Sequence, residues 1–173
     1  MKHFLSKGIM FLMFIAAAIV IYSCKDNATN PTVVTYDANS INGTVSFVDT
    51  IFIADTTHGY YSINAYSTWP PAAGPTAYSK IYPTKSGGRY TANYKIVLPS
   101  DGAYTITTSF IKLPYGPGSV LGLGMYDVSP NDTTHSASII YGNHPKATIT
   151  SGAGIGNINF NSWIDTTKKI YKF

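Results

Sequence analysis

What most constrains this chain is a period of two. Ile41, Gly43, Val45 and Phe47 alternate with Asn42, Thr44, Ser46 and Val48, and Tyr61, Ile63 and Ala65 alternate with Tyr60, Ser62, Asn64 and Tyr66. Tyr90, Ala92, Tyr94, Ile96 and Leu98 form the longest set, and Tyr104, Ile106, Thr108 and Phe110 follow it. Successive side chains of a strand point to opposite faces, so each alternation places one row on a core and the other away from it. Further strands are predicted over 120–126, 138–141, 147–150 and 155–163, with Gly, Pro, Asn and Asp between them. No stretch beyond residue 23 carries a 3.6-residue pattern with caps. Glu and Gln, two good helix formers, are absent, whereas 14 Tyr and 20 Thr suit a pleated, half-buried surface. The expected fold class is all-β, built as a single antiparallel β-sandwich.

The start of the chain reads differently. Lys2 and Lys7 precede an uncharged apolar run over 9–22, and the small residue Ser23 closes it, as in a cleaved secretory signal over 1–23. As a helix, 14 residues at ~1.5 Å each span about 21 Å, short of the roughly 30 Å hydrocarbon core, so a membrane span is disfavoured. Residues 24–40 are polar and carry Asn27, Thr29, Asn30, Pro31 and Thr32, a composition that suits a tether. Residues 41–173 then form one domain, large enough for a core without staples. Removing 1–23 leaves 150 residues and takes away two lysines but no acid, so the net charge falls from +4 to +2. With Arg89 as sole arginine and no basic cluster beyond Lys168, Lys169 and Lys172, nucleic-acid binding is not expected. A single cysteine, Cys24, excludes a disulfide scaffold and any multi-cysteine metal site.

Ile21-Tyr22-Ser23-Cys24 resembles the lipobox of bacterial lipoproteins. The resemblance implies cleavage before Cys24, acylation of that thiol and of the new amino terminus, and a membrane partner reached through the lipid. Several acyl chains anchor stably, since each buried CH₂ contributes about 0.8 kcal/mol and a single chain binds only marginally. In Gram-negative lipoproteins an Asp directly after the cysteine is the usual inner-membrane retention signal, and here that place holds Lys25. Lys25-Asp26-Asn27 is similar to the surface-export signal of Bacteroidota lipoproteins, with Asn27 departing from its more acidic pattern. The implied location is the outer membrane, lipid-anchored and exposed at the cell surface.

The stretch 93–107 reads as a hairpin in which Pro99 ends one strand, Asp101-Gly102 supplies the turn and Tyr104 starts the return strand. Gly102-Ala103-Tyr104 resembles the central hairpin of carboxypeptidase regulatory-like domains. Ile41-Asn42-Gly43-Thr44-Val45 resembles their opening strand. Ala147-Thr148-Ile149, Ser151-Gly152 and Ile158-Asn159-Phe160 resemble their closing pair. The likeness runs in order over 41–161 and departs in a long proline-rich stretch between the second and third segments and in the residues beyond Phe160. It implies a transthyretin-like or immunoglobulin-like sandwich serving as an accessory or binding module, with no catalysis implied.

Motifs for chemistry are sparse. No Gly-x-Ser-x-Gly, Walker or His-Glu-x-x-His pattern occurs, and Gly152-Ala153-Gly154-Ile155-Gly156 reads as a turn between strands. Asp55-Thr56-Thr57-His58 recurs as Asp132-Thr133-Thr134-His135, so Asp55, His58, Asp132 and His135 could share a metal if their loops met. The plainer reading is turn chemistry, since Asp165-Thr166-Thr167 repeats the triplet without His; no metal and no cofactor is expected. Asp127, Asn131 and Asp132 lack the Gly and alternation of a calcium loop. The Asp-Thr-x triplets, with Asp49-Thr50-Ile51, also resemble the Bacteroidota O-glycosylation site.

Trp69-Pro70-Pro71-Ala72-Ala73-Gly74-Pro75 sets a large aromatic beside stiff prolines. With Tyr66, Tyr78 and Tyr115 it could form a platform for a sugar ring or a peptide; alternatively Trp69 covers the end of the core. The sequence leaves open whether the second proline-rich loop, Leu113-Pro114-Tyr115-Gly116-Pro117-Gly118, flanks the first or lies at the opposite end. The expected function is a non-enzymatic surface module that binds a carbohydrate, peptide or envelope protein. The alternatives are a structural part of an outer-membrane or extracellular assembly, with Ile170-Tyr171-Lys172-Phe173 as a contact, and a hydrolase with an Asp-based site.

Overall fold

A computed structural model describes residues 34–49, 56–130 and 144–168. The described residues from Thr35 onward make up one compact unit. The leader, Cys24 and the strand predicted over 138–141 lie outside the described residues. The described residues hold nine strands and no helix: β1 (Ser40–Phe47), β2 (Gly59–Tyr66), β3 (Ala77–Ile81), β4 (Thr84–Ser86), β5 (Arg89–Val97), β6 (Gly102–Lys112), β7 (Val120–Met125), β8 (Ala147–Ile149) and β9 (Phe160–Ser162). The protein is all-β.

Eight strands pair in one path, β3-β2-β6-β7-β9-β1-β5-β4, and β8 pairs with the first three residues of β6. The sheet is mixed where an antiparallel one was expected, because β9 runs parallel to β1, with Val45 beside Phe160. It also curls on itself. The chain leaves β3 at Ile81, turns at Tyr82-Pro83 and enters β4, passing from the β2 end of the path to the β5 end, and β3 packs against β5. The alternation places the core as expected. Ile41, Val45 and Phe47 of β1, Tyr61, Ile63 and Ala65 of β2, Ala92, Tyr94 and Ile96 of β5, and Tyr104, Ile106 and Phe110 of β6 all face inward and are buried.

Three expectations change. The stretch 93–107 is not a hairpin: β5 pairs with β1 and β4, whereas β6 pairs with β2, β7 and β8. Its turn instead carries the chain between distant strands of the path. Tyr104 Oη donates to the Ser100 carbonyl at 2.9 Å, the arrangement of a tyrosine corner, which ties a strand start to the connection before it. The Asp101 carboxylate accepts from Ser151 and Gly152 N–H at 2.6 and 2.8 Å, fastening this corner to the turn after β8.

Second, β3 and β4 had no clear signature in the sequence. They are short, and only Ile81 among their residues is fully buried, so alternation leaves little trace. Third, the strand predicted over 155–163 is regular only at Phe160–Ser162. Ahead of it the glycine-rich run lies alongside β1 through Ile155 N–H to Ser40 O at 2.8 Å and Asn42 N–H to Ile155 O at 2.9 Å. There Gly156 leaves room for the Tyr36 ring and Gly154 for the Asp37 backbone, positions where a Cβ would collide. Residues 35–40, counted with the tether, therefore belong to the folded body; Asp37 also pairs with Lys95.

The core rim is built from tyrosines. Tyr61 Oη donates to Ile164 O at 2.5 Å and Tyr94 Oη to Ile158 O at 2.6 Å. Gly43 stands opposite Tyr94 in register, and its missing Cβ leaves the space through which that phenol reaches Ile158. A buried aromatic ring with a satisfied hydroxyl contributes both apolar area and a fixed orientation, which is the use this chain makes of its tyrosines.

Candidate functional site

The face of β2 and β6 turned away from the core is unusual in being buried and polar at once. Ser62 and Asn64 on β2, and Thr105, Thr107 and Ser109 on β6, are each no more than 3% exposed. In register Ser62 lies opposite Ser109 and Asn64 opposite Thr107, so these side chains form one patch. Buried polar groups cost free energy unless they are bonded, and here they bond to one another. Ser62 Oγ donates to Asn64 Oδ1 at 3.1 Å, Asn64 Nδ2 donates to Ser109 Oγ at 3.1 Å, and Thr105 Oγ1 lies 2.8 Å from His144 Nε2.

Two loops rise beside this patch. The loop between β2 and β3 is closed at its base by Thr76 N–H to Ala65 O at 2.8 Å and by Thr76 Oγ1, which accepts from Ser67 N–H at 3.1 Å. It carries Trp69, whose ring meets Tyr66 edge-on at 5.4 Å and His144 at 5.9 Å and packs on Met125. Trp69 thus partly covers a small second cluster on the outer face, not the end of the main core. The loop between β6 and β7 is closed by Lys112 N–H to Ser119 O at 2.9 Å and Gly116 N–H to Ser119 Oγ at 2.8 Å. It holds Tyr115 out at 73% exposure. The Trp69–Pro70 and Leu113–Pro114 peptide bonds are both cis.

The two proline-rich loops flank one another, which settles the placement left open by the sequence. Together they enclose a cleft of about 270 Å³. Its floor is Thr107, Ser109 and Gly122. Tyr66 and Trp69 form one wall with Pro71 and Pro75, and Tyr115 and Val120 line it as well. None of the lining residues is charged. The Tyr66 phenol is held above its ordinary pKa, chiefly by burial and further by the Tyr115 phenol, against a hydrogen bond with Thr107 that lowers it. At neutral pH the cleft therefore presents neutral hydroxyls and aromatic rings.

Of the four aromatics expected to form a platform, Tyr66, Trp69 and Tyr115 line the cleft. Tyr78 does not; it is 59% exposed, opposite Asn64 on the same face but outside the cleft. The floor was not foreseen. Its trace in the sequence is Thr105, Thr107 and Ser109, small hydroxyl side chains on a strand whose alternate residues Ile106 and Phe110 are core. A solvated strand face ordinarily carries larger, charged residues.

Asp55, Asp132 and His135 lie outside the described residues, and His58 is engaged with Thr57, its Nδ1 2.9 Å from Thr57 Oγ1. Among the described residues no three His, Cys, Asp or Glu are grouped as a metal would require. Four described aspartates serve the backbone or a lysine. Asp37 pairs with Lys95 and Asp101 fastens the β8 turn. Asp49 accepts from Ile164 and Asp165 N–H at 2.8 and 2.9 Å, and Asp165 accepts from Thr167 N–H at 2.8 Å. The last is the turn chemistry expected of Asp-Thr-Thr. Among the described residues no helix is long and apolar enough to cross a membrane. Comparison with family models, with curated proteins and with solved structures found no match.

Proposed function

We infer that this chain is a lipid-anchored envelope protein whose folded body binds a partner, without chemistry of its own, in the cleft between its two proline-rich loops. One observation carries the binding reading: aromatic rings from two separate loops converge on a floor of buried, uncharged hydroxyls. A stability requirement alone would place apolar residues there, since a bonded polar patch adds little net free energy over a well-packed apolar one. Small concave sites with apolar walls and a few placed polar groups are the usual form of ligand pockets. Anchoring at Cys24, and display on the outer membrane facing outward, are supported by Ile21-Tyr22-Ser23-Cys24 and by Lys25 after it. Kinship with carboxypeptidase regulatory-like domains, which would also favour an accessory role, is supported by the opening and closing motifs over 41–161 and by an all-β body; against it stands 93–107, which joins distant strands instead of forming their central hairpin.

Two measurements test the reading. Wild-type chain labelled with an alkynyl fatty acid is expected to carry label and to partition with membranes, and Cys24→Ser to lose both; label retained in that variant overturns the anchor. For binding, full-length chain purified from native envelopes is compared with Tyr115→Ala, and co-purified molecules are identified by mass spectrometry. A molecule retained by the wild type and lost from Tyr115→Ala supports the cleft as the site. Identical retention by both, or by neither, overturns it.

A further inference from the structure

We propose that the cleft is a subsite for one neutral sugar ring. The proposal rests on the binding reading above and specifies its ligand. Size comes first: about 270 Å³ lies at the lower edge of the roughly 300–1,000 Å³ typical of small-molecule sites. That is room for one six-membered ring with its substituents.

Charge comes second. Phosphate, sulfate and carboxylate groups are recognised by Arg or Lys forks or by exposed backbone N–H clusters. The lining of this cleft holds no cation, and its phenol Tyr66 is pushed further from ionisation. An acidic ligand would lose its hydration there and gain no counter-charge.

The third point is the pairing of surfaces. A pyranose has an apolar C–H face and a rim of hydroxyls that both donate and accept. Trp69 and Tyr115 supply flat apolar surface, and the floor supplies the hydroxyls of Thr107, bonded to the Tyr66 phenol, and of Ser109, which accepts from Asn64 Nδ2 and keeps its own proton to donate. The floor residues sit on β6, and Trp69 is held by Tyr66, His144 and Met125, so these parts are fixed before any ligand arrives. Of the three aromatics lining the cleft, Tyr115 is the exposed one, the wall a ligand would cover. A proline-rich peptide also favours aromatic walls. Its extended helix needs a long groove, however, and its carbonyls only accept, which leaves half of the hydroxyl chemistry unused.

The test uses full-length chain in detergent, with isothermal titration and saturation-transfer NMR. The probes are maltotriose, cellotriose, mannotriose and chitotriose as neutral sugars, trigalacturonate as an acidic one, and decaproline. At least one neutral trisaccharide is expected to bind, with transfer concentrated on the C–H protons of one ring. Tyr115→Ala should weaken that sugar by about tenfold, the scale of one aromatic contact. Thr107→Val, which keeps shape and removes the hydroxyl, should weaken it severalfold.

Decaproline binding without any sugar overturns the proposal. So does trigalacturonate binding as tightly as every neutral probe, or sugar binding that Tyr115→Ala leaves unchanged. If no probe binds while retention of native material still depends on Tyr115, the sugar proposal falls and the binding reading stands. If that dependence is also missing, both fall.

Discussion

The two faces of β2 and β6 are made by the same strands, share the same twist and are almost equally buried, yet they are built from different chemistry. Inward stand Tyr61, Ile63, Ile106 and Phe110; outward stand Ser62, Asn64, Thr107 and Ser109. The inward row gains free energy from every methylene removed from water. The outward row gains little, because each hydroxyl exchanges water for a neighbour at near-even terms. Burial by itself therefore does not mark a core.

The largest contrast is expected from Ile106→Ala, fully buried on the inward face. It should cost about 2–5 kcal/mol by denaturant unfolding, through lost transfer energy and the cavity left behind. A cost under about 1 kcal/mol would mean that this face is not tightly packed. On the outward face Asn64→Ala should cost less, about 1–3 kcal/mol, since it leaves the Ser62 and Ser109 hydroxyls buried without their amide partner. If Asn64→Ala matched Ile106→Ala, the distinction between the faces would fail.

Alkaline titration sharpens the contrast through the tyrosines. Burial, as the first cause, raises the pKa of Tyr61 and of Tyr94 above 10; Asp49 and Asp165 add to it at Tyr61 and the Tyr126 phenol at Tyr94. Above pH 10 the unfolded chain loses these protons while the folded chain keeps them. The unfolded state then binds fewer protons, and stability falls as pH rises past 10; below that it is unaffected by these groups. Unfolding followed from pH 8 to 12 should show this decline, and Tyr94→Phe should make it shallower.

The smallest effect is expected at Thr108, on the inward face, whose buried hydroxyl has no hydrogen-bond partner among the described residues. Thr108→Val should raise stability by about 1 kcal/mol, seen as a higher melting temperature, because it removes an unpaired polar atom without changing shape. A loss would show that the hydroxyl has a partner after all.

Much of the fold was legible because a strand writes its orientation into every second residue. Ile41, Val45, Phe47, Ile63, Ile96 and Ile106 could be assigned to a core from the pattern alone. β3 and β4 were not legible, being too short and too exposed to alternate. Within the site, Trp69 and Tyr115 drew notice as aromatics beside prolines, whereas Thr107 and Ser109 did not, since a small hydroxyl residue has the same spelling on a wet face as on a dry one.

By itself, then, the sequence determined the strand class, the inward rows and the aromatic loops, because these depend on local period and composition. Tertiary structure decided everything that depends on which strands are neighbours. It turned an expected hairpin into a corner between distant strands, laid β9 parallel to β1, and brought Trp69 and Tyr115 to one cleft. Pairing partners are chosen by the summed packing of whole faces, a quantity that no short window of residues contains.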